Sequence, residues 1–234
     1  MRCRIAHLGV ALALVSALGA CGSSSHESVT PVTVFNLSAD PAQHIPAVKA
    51  NPAVLTAAVL RTTLDALLAK HAELVIALAH QVGAGNDSPN AEVNALAANT
   101  QNLTDAIALV YGRDAARAFA QLWEQHTQFF VNYAQADRSH DHKAKEDAES
   151  QLADYQSDFA SFLSTATAGG VGLVAVTSLL HTHVTDITSY IDADVAGHTA
   201  LAAELQTHAV THMHIIARAI AAAIAAQHLA TVKS

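Results

Sequence analysis

Cysteine is nearly missing from this sequence. Cys3 and Cys21 are the only two in 234 residues, and both stand near the N-terminus. The rest of the chain therefore has no thiol for a disulfide, a thiolate metal site or cysteine catalysis. Charge is scarce as well, at 14%, and it is unbalanced: 12 Lys and Arg stand against 20 Asp and Glu, a formal −8. A basic footprint for nucleic acid is absent. Aromatic residues make up only 5%, with 10 Gly and 5 Pro, which excludes collagen-like and proline-rich chains and argues against an all-β fold full of turns. Hydrophobic residues reach 51%, far above the range of disordered chains. Alanine dominates the body, and alanine is the best helix former. An all-α protein is expected, and the chemistry left to explain is that of 15 histidines.

The N-terminus reads as a targeting segment. Arg2 and Arg4 precede a mostly apolar stretch from Ile5 to Leu18, too short for a membrane span. It ends in Leu18-Gly19-Ala20-Cys21, which resembles the lipobox of bacterial lipoproteins. That resemblance implies cleavage before Cys21, lipidation of Cys21, and a lipid-anchored protein on the extracytoplasmic face of a bacterial envelope. It covers residues 1–21 alone. The expected organisation is a signal peptide over 1–20, the lipidated Cys21 with a tether over 21–50, and a helical domain over 51–234. The tether is rich in Ser, Thr, Val and Pro and lacks helical periodicity.

Punctuation divides the remainder into about six helices. Asn51-Pro52 and Ser88-Pro89 are start signals, a capping side chain followed by proline in the first turn. Gly83, Gly112, Gly169-Gly170 and Gly197 are stops. The helices are expected over 52–82, 89–111, 114–136, 142–167, 171–193 and 198–230. The apolar stretches 171–180 and 215–226 are too short to cross a bilayer. Segments repeat at a spacing near 56 residues. Leu122, His126, Phe130, Tyr133 and Asp137 match Leu179, His183, Ile187, Tyr190 and Asp194, and Leu67, His71 and Val75 follow the same template. This pattern predicts an antiparallel bundle, with the option of three αα-hairpin repeats.

Helical phasing puts several histidines inside apolar stripes. At about 100° per residue, His71, His126 and His212 lie within the stripes of their helices and His183 at the edge of its own, whereas His80 and His214 project roughly opposite. His71, Asn99, His126, Tyr155, His183 and His212 stand at similar heights from the turns. Antiparallel helices would bring them to one level, a polar layer across an apolar bundle. Each group left unpaired there would cost roughly 1–3 kcal/mol.

Three readings of this layer compete. In the first, His71, His126, His183 and His212 bind a transition metal as neutral imidazoles, with Asn99 and Tyr155 behind them and His208 and His181 as accessory ligands. Copper or zinc comes first, iron or nickel after. In the second, the layer is a hydrogen-bonded core that only fixes helix register, in a structural or protein-interaction lipoprotein. In the third, two of the histidines hold haem or another small ligand without covalent attachment, since C-x-x-C-H is absent. Catalytic signatures are missing: no H-E-x-x-H, G-x-S-x-G, Walker loop or Glu-x-x-His pair occurs. The expected role is binding, buffering or sensing rather than turnover. Lys70-His71-Ala72-Glu73-Leu74, Asn99-Thr100, Tyr111-Gly112 and the Trp123/His126 pair make the body resemble secreted bacterial helical proteins, a resemblance that implies no activity.

Overall fold

A computed structural model describes residues 57–229, and every regular element in it is a helix: α1 (Ala57–Gly83), α2 (Asn90–Ser139), α3 (His142–Ala166), α4 (Leu173–Val195) and α5 (Thr199–Leu229). The expected signal peptide, Cys21 and tether lie outside the described residues. The turns follow the local chemistry. After α1 the amides of Ala84 and Asn86 return to the carbonyls of His80 and Gln81, with Gly85 at φ 88°. Asp141 caps α3 by accepting the Ala144 amide at 3.0 Å, which satisfies one of the free donors of the first turn.

Five helical elements form, and α2 is two helices joined across a break at Gly112, where the sequence expects one helix to end. The expected stretches 89–111 and 114–136 are its two limbs. The glycine stop does act within it: Gly112 takes φ 83° and ψ 174°, outside the helical region, a conformation that glycine alone adopts without strain. Helical hydrogen bonding resumes at once on its far side, so no loop separates the two limbs. The limbs run back along each other. Leu96, before the break, shares an apolar cluster with Phe130 and Tyr133, well after it, whereas Leu103, Ile107, Ala116 and Phe119 share the other cluster.

Helices α1, α2 and α4 pack against one another in a mutual triangle; α3 lies on α2 and α4, and α5 on α1 and α4. The core is divided into two apolar halves. Leu64, Leu68, Leu103, Phe119, Phe159, Leu180 and Ile216 fill one, and Val75, Leu78, Leu96, Phe130, Leu152, Ile187 and Tyr190 the other. Each such side chain, when fully buried, contributes about 1.5–3 kcal/mol. Every helix that crosses the boundary does so at a polar residue of the expected layer.

Over Thr199–Gln227, α5 is long and apolar enough to cross a membrane by length and composition, a wider window than the 215–226 stretch considered in the sequence. In this fold its Ala209, Met213, Ile216, Ala217, Ile220 and Ile224 are buried against the other helices, whereas Leu201 and Ile215 are exposed.

A buried histidine layer as candidate metal centre

The boundary between the apolar halves is where the three mutually packed helices converge. Each contributes one histidine: His71 from α1, His126 from α2 and His183 from α4. In every case the neighbours one turn away are apolar and belong to the two halves: Leu68 and Val75, Trp123 and Phe130, Leu180 and Ile187. His71 and His126 are fully buried and His183 is 3% exposed. The Nε2 atoms of His71 and His126 stand 3.0 Å apart. One ring nitrogen from each of the three histidines lies within 4.8 Å of the other two. Three nitrogens bound to one ion at about 2.0–2.1 Å are separated by roughly 3.3–3.6 Å. The observed separations, from 3.0 Å up to 4.8 Å, bracket that spacing.

Electrostatics favour neutral imidazoles. Burial is the largest cause that pushes His71 well below the usual histidine range, with further lowering by His126 and His183 beside it. Burial and then His183 bring His126 down to about 3, against opposition from the Trp123 and Leu122 carbonyls of the preceding turn. Burial and His212 bring His183 down to about 3. Neutral imidazole is the ligating form. Nδ1 of His71, His126 and His183 makes no hydrogen bond of good geometry, and Asn99 Oδ1, Thr100 Oγ1, Thr127 Oγ1, Trp123 Nε1, Gln135 Nε2 and Asp186 Oδ2 are also buried without partners. Those on the three histidines and on Asn99 belong to the polar layer, where a core that only fixes register would pair them.

The other expected site residues reach the same level but take different roles. His212 is 8% exposed, and its Nε2 bonds the Leu179 carbonyl at 2.9 Å. It lies on α5, which flanks α1 and α4, so it stands beside the triangle formed by α1, α2 and α4 rather than within it. The metal-competent group among the described residues contains His71, His126 and His183 only. Asn99 and Tyr155 were expected to fix histidine tautomers by hydrogen bonds. Asn99 instead donates to the Leu67 carbonyl at 3.1 Å, tying α2 to α1. Tyr155 stacks face to face on His126, with centroids 4.6 Å apart and planes 10° from parallel, and so positions the ring by contact. His208 is largely exposed and pairs with Asp186 at 2.8 Å, and His181 is exposed; neither joins the cluster. His80 and His214 pair with Asp194 and Asp65, each at 2.9 Å, away from the layer.

Trp123 was not among the site residues expected from the sequence. Its ring centroid lies 4.4 Å from that of His71 and 4.7 Å from that of His126, so it walls the site. Its place one turn before His126 on the same stripe was the available signal. Asp186, three residues after His183 and 6% exposed, was also overlooked; the spacing alone could have found it. No protein-family model, curated protein or solved structure matches the chain.

Proposed function

We propose that this protein binds one transition-metal ion through His71, His126 and His183, and that it does so as a lipid-anchored extracytoplasmic protein whose role is to hold, buffer or sense the ion. The observation that carries the reading is the convergence of three buried imidazole nitrogens within 4.8 Å. Three neutral imidazoles whose ring nitrogens converge in an apolar interior supply a ready set of metal ligands. The envelope location rests on the lipobox resemblance of Leu18-Gly19-Ala20-Cys21. The site contains no nucleophile and no carboxylate base, in keeping with binding rather than turnover. The test is elemental analysis of protein purified without added metal. The reading expects near-stoichiometric metal that is lost from the His71→Ala/His126→Ala double variant while the helical circular dichroism is retained. A metal-free protein whose fold and stability ignore both chelators and added metal would overturn it.

One observation favours the register reading. The 3.0 Å Nε2–Nε2 separation is itself a hydrogen-bond distance if His71 carries its proton on Nε2 and His126 on Nδ1. The haem reading has no such support, because Trp123, Phe130 and Tyr155 already fill the level a macrocycle would occupy.

A further inference from the structure

The cluster has a feature that bears on which ion it takes: it is made of uncharged ligands in an apolar shell. No carboxylate or thiolate joins the three nitrogens. Cys3 and Cys21, the only cysteines, lie far from it in sequence. Asp186, one turn along α4 from His183, accepts from His208 Nδ1 through Oδ1 at 2.8 Å and leaves Oδ2 buried without a partner, but it is not among the converging atoms. Above and below the layer stand Leu68, Ala72, Trp123, Phe130 and Ile187, all buried.

We infer that the ion this site is built for is a d10 monocation, Cu(I), rather than a divalent metal; the inference rests on the metal-binding reading above. Its first basis is charge. The cost of moving an ion from water into an apolar interior scales with the square of its charge, so a dication costs about four times as much as a monocation of the same size. A divalent site in such surroundings normally includes an anionic ligand or an open, hydrated position, and this cluster offers neither carboxylate nor thiolate. The second basis is ligand number. Zinc in proteins is almost always four-coordinate, and divalent copper and nickel prefer tetragonal sets. The protein supplies three nitrogens, one from each of three rigid helices, and His212, the nearest further imidazole in the layer, has Nε2 committed to the Leu179 carbonyl. A closed-shell d10 monocation has no ligand-field demand and is satisfied by three imidazoles.

The test compares ions on the whole wild-type protein, so no variant has to fold. Cu(I), supplied as its acetonitrile salt under argon, is titrated against a chromophoric Cu(I) chelator. Zn(II) and Cu(II) are titrated against chelators of known affinity. Trp123 is the only tryptophan, and its emission reports occupancy directly. The expected result is one Cu(I) per chain, with quenched Trp123 emission and an affinity at least roughly a hundredfold above that for Zn(II). Zn(II) or Cu(II) binding at one per chain with equal or higher affinity would overturn the monocation inference and leave the metal site standing. No binding of any of the three ions to folded protein would overturn the metal-binding reading, and this inference with it.

Discussion

His71 Nε2 and His126 Nε2 face each other at 3.0 Å across the α1–α2 contact, both fully buried. Two protonated nitrogens cannot meet at that distance. One lone pair must therefore accept from the other ring, or both must be directed at a cation. This single relationship carries consequences for ligand binding, acid stability and mutation.

Metal binding should depend on the layer and be indifferent to the other histidines. His71→Gln, His126→Gln and His183→Gln should each lower affinity by at least roughly tenfold to a hundredfold. His80→Gln, His181→Gln and His214→Gln should leave it unchanged. His212→Gln is expected to fall between, because His212 holds the Leu179 carbonyl and lies close to His183. Titration of each variant with the same ion checks this. Equal losses in His80→Gln and His71→Gln would place the site elsewhere.

Acid should destabilise the metal-free fold steeply. The three layer histidines are held neutral in the folded state, with the folded values for His126 and His183 near 3. The unfolded chain takes up these protons once the pH falls below about 6.5. Stability is therefore present above that value and drains away as the pH drops toward 3. Each histidine costs about 1.4 kcal/mol per pH unit, or about 4 kcal/mol for all three. Helical circular dichroism should collapse between about pH 5.5 and 4. A full helical signal at pH 3.5 would contradict the neutral layer.

Occupancy of the site should raise stability by mass action. An ion at a hundred times its Kd stabilises by about 2.7 kcal/mol. Thermal unfolding with and without metal should show the shift, and a chelator should reverse it. His71→Ala should abolish the difference between the two curves.

Gly112 should be intolerant of a side chain for backbone reasons alone. A Cβ there would meet nothing within 4 Å, yet φ is +83°. Gly112→Ala should lower stability by about 1–3 kcal/mol in denaturant unfolding, with its effect on metal binding following only from the global loss.

The lipid anchor is tested independently of the fold. Cys21→Ser should move the protein from the membrane fraction to the soluble fraction and leave the metal titration as it was. Retention in the membrane fraction would remove the anchor from the proposal.

Much of the layer was legible in the sequence because helical phase and distance from a turn are local quantities. His71, His126 and His183 could be placed at one height from glycine and proline punctuation and a 3.6-residue period, and the structure sets them there, with Asn99, Tyr155 and His212 at the same boundary. The form of the break at Gly112 was less legible. A glycine with positive φ reads as a stop whether a loop follows or the helix resumes at once, and at Gly112 it resumes. Trp123 escaped notice because an aromatic residue on an apolar stripe has the same pattern whether it packs on leucine or on imidazole.

The sequence by itself determined the secondary structure, the apolar stripes and the height of the polar layer, since each depends on residues within a few turns of one another. Only the tertiary structure decided which histidines meet. That choice follows from which helices touch: α1, α2 and α4 form a closed triangle, while α5 packs along its side. His212 has the same local signature as the other three, yet it ends on a backbone carbonyl. No periodicity within a helix encodes its neighbours. That is set by how the two apolar halves close around all the helices at once, with the chain doubling back at Gly112.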